Sequence, residues 1–240
     1  MSTAAQRSFV AGATGYTGGA LIQHADGAVY AHMRPGSRSE ASLRARAANL
    51  PRVEVVSAAW RSEALKAALV GVDVVYACLG TTMKRGRSEA GANYETVDYG
   101  LSAWLLKACA ELSPPPRFVY LSAVGSESGR GAYRAARKRL EDELRASGVP
   151  YTIVRPSFIS GDREEHRPIE SASANALDAA LGVLAFFGAT SFAAKYRSMT
   201  GDTLARGMVQ LAREDAARGV NGTYETAAIA AAAERFSEER

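Results

Sequence analysis

Along this chain, short apolar runs alternate with segments whose apolar residues recur at helical spacing. The strand-like runs are SFVAG, AVYAHMR, RVEVV, DVVYACLG, RFVYLSAV, YTIVRPSFI and, late in the chain, GTYETA. Between them TGGALIQHA, SRSEASLRARAAN, SEALKAALVG, the span from Tyr94 to Glu111 and YRAARKRLEDELRASG read as helices. Strands alternating with helices predict right-handed crossovers and a mostly parallel sheet covered on both faces. The runs carry little polar alternation, as expected of strands buried on both sides. Pro114, Pro115 and Pro116 stop one helix before RFVYLSAV, and Gly148 stops the next.

After Ile159 the alternation weakens, and residues 161–198 read as an insertion. In an open sheet of this kind ligands sit beyond the carboxyl ends of the strands, so a late insertion is expected to shape a substrate region. The helix DTLARGMVQLARED and the final strand then close a single domain spanning residues 1–240.

Composition narrows the class. The chain has 240 residues, 47% hydrophobic and 22% charged, which suits one soluble globular core. Its formal charge of +4 is small and scattered, with no basic segment interleaved with aromatics, so no nucleic-acid partner is expected. Cys78 and Cys109 lack metal-ligand spacing and read as buried, reduced thiols; His24, His32 and His166 are too dispersed for a metal site. The opening MSTAAQRSFV lacks the apolar core of a secretion signal, and the longest uncharged run, between Asp178 and Lys195, falls short of a membrane span. These features together predict a cytoplasmic protein.

The candidate chemistry begins at FVAGATGYTGG, where Gly12, Gly15 and Gly18 follow a strand and open a helix. Gly12 permits a tight turn, Gly15 lets backbone approach a pyrophosphate, and Gly18 lets helix and sheet pack closely. The helix start directs free N–H groups and its positive dipole end at the phosphate. NAD sites place an Asp or Glu after the second strand, whereas here Arg34 ends that strand and Arg38 follows. A guanidinium suits a 2′-phosphate, so NADP(H) is expected in preference to NAD(H).

GATGYTGG, MRPGS, DVVYACLGTT and YTIVRPSFISGDREE resemble the atypical short-chain dehydrogenases/reductases, in the NAD(P)H-binding, NmrA-like branch that includes the Tat-interacting-protein-type oxidoreductases. The likeness runs through nearly the whole chain, including LGVLAFFG and NGTYE. It implies a Rossmann-type, doubly wound α/β fold with the dinucleotide across the strand ends. Gly12, Thr14, Gly15, Tyr16, Thr17 and Gly18 would hold the pyrophosphate region, while Leu79, Gly80 and Thr81 would line the nicotinamide side.

Short-chain reductases also use a Ser, a Tyr and a Lys four residues after the Tyr. The Tyr protonates the substrate oxygen, and the Lys cation lowers the Tyr pKa and holds the ribose. The matching segment here is GAYRAARKRLEDEL, with Tyr133 at the head of a helix and Arg137, not lysine, four residues on. Lys138, at i+5, lies about 140° around the helix, against about 40° for Arg137. Ser122 fits the family's serine by position, with Ser126 and Ser128 in the following loop. Relatives often carry Gly-Asp after the third strand; here Ala58 takes the acidic position and Trp60 follows.

Two functions follow. One is an NADP(H)-dependent oxidoreductase acting on a small carbonyl-like substrate, with Tyr133, Arg137 and Ser122 as the catalytic set. The other is a non-catalytic NAD(P)H-binding sensor, regulator or assembly factor, favoured by Arg137. The segment around LGVLAFFGATSF would line an apolar pocket or form a homodimer face.

Overall fold

Each of the seven apolar runs supplies a strand to one sheet. The computed structural model describes residues 6–80, 93–157, 159–160 and 199–239. Six strands come first: β1 (Arg7–Ala11), β2 (Ala28–Met33), β3 (Val53–Ser57), β4 (Val74–Ala77), β5 (Arg117–Leu121) and β6 (Tyr151–Arg155). Two short strands, β7 (Ile159–Ser160) and β8 (Met199–Thr200), pair with each other, and β9 (Gly222–Glu225) returns to the main sheet. The insertion expected at 161–198, and Thr81, lie outside the described residues.

The main sheet has the order β3-β2-β1-β4-β5-β6-β9 and is parallel throughout. All seven carboxyl ends therefore share one edge. Chain order reverses between β1 and β4, the switch point beyond which an open α/β sheet forms its ligand crevice. This is the expected doubly wound Rossmann-type fold.

The helices explain why the strands are apolar on both faces. On one face, Val10 and Tyr76 pack with Leu21 of α1 (Tyr16–His24), Leu43 of α2 (Glu40–Ala48) and Met208 of a helix spanning Gly201–Arg218. On the other, Phe9 and Val75 pack with Leu65 of α3 (Glu63–Leu69), Leu105 of α4 (Ser102–Ala110) and Leu140 of α5 (Ala132–Ala146). Neighbouring residues of one strand thus enter opposite cores, so alternation with polar residues is lost.

Two features depart from the sequence reading. The helix expected from Tyr94 begins as a π-helical segment, Tyr94–Leu101, and only then continues as α4. Asn93 caps it: its side chain accepts from the Thr96 N–H at 2.8 Å, and Thr96 Oγ1 accepts from the Asn93 N–H at 3.1 Å. The chain also does not close on a strand. Numbering the Gly201–Arg218 helix α6, a further helix, α7 (Thr226–Glu238), follows β9 directly. Its buried residues Ile229, Ala232, Ala233 and Phe236 fall at i, i+3, i+4 and i+7, and alanine is the strongest helix former. The sequence reading closes the domain on GTYETA and assigns no helix after it; the stripe from Ile229 to Phe236 supplies the signal.

Candidate active site at the strand carboxyl ends

The glycine turn is built on one carbonyl. Gly12 has φ +90°, a conformation L side chains rarely adopt, and a Cβ there would lie 2.6 Å from the Cys78 carbonyl oxygen. Its own oxygen accepts from the Gly15 N–H at 2.9 Å. A Cβ on Gly18 would lie 2.1 Å from that same oxygen, so close approach of α1 to the turn admits only glycine. Gly15 has φ −82°, no side-chain cap and an exposed surface, with Thr14 half-buried beside it.

Thr17 and Gly18 are buried, yet their N–H groups meet no acceptor among the described residues. Unpartnered N–H groups at a helix start are suited to receive an anion. The first turn of α1 holds no acidic residue that would repel a phosphate. The turn therefore fits a pyrophosphate, by its donors and by the cradle a Cβ would fill. The Tyr16 side chain leads away from it: the hydroxyl donates to the Ser160 carbonyl at 3.1 Å.

At the end of β2, Arg34 is exposed and pairs with no side chain among the described residues. Its carbonyl accepts from the Ser37 N–H at 3.1 Å, which shapes the loop into α2. Beside it, the ends of β2 and β3 are joined by main chain and rings. His32 Nε2 donates to the Ala58 carbonyl at 2.9 Å, and burial lowers the His32 pKa against the opposing effect of that bond. Trp60 meets His32 edge-on at 4.6 Å and Trp104 at 6.3 Å, so it covers the core.

The end of β4 carries buried Leu79 and exposed Gly80. Beneath them lies Arg137, only 4% exposed. Its Nη2 donates to Asp98 Oδ1 at 2.8 Å and to the Leu79 carbonyl at 3.2 Å, and its Nη1 donates to the Leu121 carbonyl. Nε meets no acceptor among the described residues. Burial alone would disfavour the Arg137 charge, but the Tyr120, Tyr133 and Asp98 oxygens outweigh it and raise its pKa. A Cβ on Gly80 would lie 3.0 Å from Arg137 Nη2 and 3.4 Å from Asp98 Oδ1, so Gly80 sits directly on this pair. Asp98, the partner of Arg137, is a residue the sequence reading does not include.

Tyr133 is half-buried, with the Arg137 guanidinium carbon 5.2 Å from its ring centre and the Tyr94 ring edge-on at 5.2 Å. The i+4 spacing thus brings Tyr133 and Arg137 together, while Lys138 turns outward to Asp142. Ser122 is turned elsewhere. Its hydroxyl donates to Glu141 Oε1 at 2.6 Å, and Ser126 Oγ lies 3.3 Å away. Glu141 is fully buried and also accepts from Arg155 Nε at 2.9 Å and Arg145 Nη2 at 2.9 Å. A carboxylate has no proton to give, so the Ser122 proton is committed to Glu141. Cys78 and Cys109 are free thiols, each with its pKa pushed up to about 12 by burial.

A family model described as NAD(P)H-binding matches residues 12–180 of this chain. The chain belongs to that NAD(P)H-binding family. Among curated relatives, the mitochondrial protein FMP52 of Eremothecium gossypii is 30% identical over 87% of this chain and 89% of its own length. The Debaryomyces hansenii FMP52 is 28% identical over 88% and 90%. The fmp52 of Aspergillus clavatus is 31% identical over 47% of each chain, so the chain spans about half the length of the Aspergillus relatives it matches. Among solved structures, a putative gluconate dehydrogenase from Agrobacterium tumefaciens covers 93% of this chain and 96% of its own, with TM-score 0.64 and 16% identity. The UDP-glucuronic acid 4-epimerase of Bacillus cereus, in complex with UDP-glucuronic acid and NAD, covers 92% and 77%, with TM-score 0.63 and 16% identity. At such identities the likeness is one of fold.

These findings correct the cytoplasmic expectation, because the relatives of this NAD(P)H-binding protein are named mitochondrial. Lack of an apolar core argues only against a secretory signal, whereas mitochondrial transit peptides are amphipathic and rich in Arg and Ser. Among the described residues no helix is long and apolar enough to cross a membrane.

Proposed function

We propose that the protein is an NADP(H)-dependent oxidoreductase of the atypical short-chain type, acting on a small carbonyl-like substrate. What supports this most is that Tyr133, Arg137 and Gly80 meet at the same carboxyl edge as the glycine turn. The α1 start, with Gly12, Thr14, Gly15, Tyr16, Thr17 and Gly18, binds the pyrophosphate, and Arg34 binds the 2′-phosphate. Leu79 and Gly80, at the end of β4, would line the nicotinamide side, the role expected also of Thr81. The bound dinucleotide supplies or accepts the hydride.

Tyr133 holds the proton that passes to the substrate oxygen, with the Arg137 guanidinium carbon 5.2 Å from its ring centre. Because the Ser122 proton is held by Glu141, Ser122 acts as a positioning residue and leaves proton donation to Tyr133.

Titration with NADPH and NADH, followed by a carbonyl, aldehyde and quinone panel, tests the reading. Tighter NADPH binding, with turnover that falls at least about 100-fold in Tyr133→Phe, supports it. A second reading, a non-catalytic NAD(P)H-binding sensor or assembly factor, is favoured by Arg137. Its guanidinium is held by Asp98 and two main-chain carbonyls. Tight NADPH binding without turnover on any substrate decides for that reading.

A further inference from the structure

Tyr16 stands between the dinucleotide turn and the β7–β8 pair. It is the first residue of α1, next to the exposed Gly15, and its hydroxyl donates to the Ser160 carbonyl at 3.1 Å. Its ring lies flush on Gly201. A Cβ on Gly201 would lie 2.6 Å from Tyr16 Cε1, 2.9 Å from Cδ1 and 3.1 Å from Cζ, so only glycine admits the ring there. Ser160 ends β7, and Gly201 follows β8. These two strands pair in parallel, Ile159 with Met199 and Ser160 with Thr200. One side chain therefore touches both points at which the chain leaves for, and returns from, residues 161–198.

The neighbours of this contact are tied into α6. Thr200 Oγ1 caps α6 by accepting from the Thr203 N–H at 3.1 Å. At the far end of α1, His24 Nε2 lies 2.6 Å from Asp202 Oδ1, so α1 grips the start of α6 at both of its ends. A ligand that fixes the first turn of α1 fixes Tyr16 and, through it, Ser160 and Gly201.

We infer that Tyr16 is a positioning residue that couples dinucleotide binding to the β7–β8 pair, so that cofactor occupancy steadies that pair. The coupling is reciprocal: whatever steadies β7–β8 tightens the dinucleotide. The inference rests on the dinucleotide reading above.

Amide hydrogen exchange of Ser160, Met199 and Thr200, measured with and without saturating NADPH, tests it. In the wild-type protein NADPH should slow these amides by about fivefold, the factor carried by one net hydrogen bond. In Tyr16→Phe, and in Gly201→Ala where the ring is displaced, the NADPH-induced slowing at saturation should fall to within about twofold of none. Equal slowing in wild type and both variants overturns the coupling, as does saturation of the wild type without any slowing. If neither NADPH nor NADH binds, the dinucleotide reading fails and this inference with it.

Discussion

Arg137 Nη2 and Asp98 Oδ1 lie 2.8 Å apart, joining α5 to the π-helical segment across 39 positions of sequence, with both side chains buried. A buried ion pair of this kind adds little net stability over apolar packing, but breaking it strands a charge. Asp98→Ala should therefore lower unfolding stability by about 3–5 kcal/mol, read from urea midpoints at unchanged slope. A loss under about 1 kcal/mol would mean that water or another group compensates the guanidinium.

The proposed preference for NADP(H) rests on Arg34, exposed at the end of β2. Arg34→Ala should weaken NADPH about tenfold, the loss of one charge-assisted contact, and change NADH affinity less than about twofold. Parallel titrations of both cofactors check this, and equal losses for the two would remove Arg34 from the 2′-phosphate site.

The glycines separate folding from binding. Gly18→Ala forces a Cβ against backbone at 2.1 Å, so both stability, by about 1–3 kcal/mol, and NADPH affinity should fall. Gly15 has an ordinary φ, and its Cβ would lie 3.2 Å from the Gly12 oxygen. Gly15→Ala should therefore shift stability by less than about 1 kcal/mol while weakening NADPH at least about tenfold. Thermal unfolding beside cofactor titration tells the two substitutions apart.

Glu141 sets an acid limit. Burial alone would raise its pKa, but hydrogen bonds from Arg155 and Ser122, the Arg155 charge and Arg145 outweigh it and hold it below the ordinary 4.5. A carboxyl lowered in the folded state contributes stability that is present above 4.5 and is lost as pH falls through the lowered value. Glu141→Gln should be less stable than wild type by about 3 kcal/mol at neutral pH, and the gap should narrow in acid below 4.5. Urea midpoints of both proteins across pH supply the test; a pH-independent gap would contradict it.

The fold was legible because it is written locally. Each apolar run, each proline or glycine stop and the glycine turn signal an element within a few residues. What escaped depends on longer reach. Nothing in YETVDYG marks Asp98 as the partner of Arg137, because the pairing is made only when the π-helical register turns it toward α5. Ser122 was placed correctly along the chain, at the end of β5, but the direction of its hydroxyl is set by Glu141, 19 positions on. The Tyr16 contacts are longer still, 144 positions to Ser160. The α7 stripe is as local as the other signals, with Ile229, Ala232, Ala233 and Phe236 at helical spacing.

A single oxygen, that of Gly12, receives the Gly15 N–H and bounds the space left for any side chain at positions 15 and 18. The three glycines are therefore one unit with a shared point of failure. Once the turn has been forced open by a substitution at Gly12 or Gly18, a second substitution meets no intact cradle to disturb. Their losses in cofactor affinity should be strongly non-additive, and a sequence that abandons one of these glycines loses the constraint that keeps the other two.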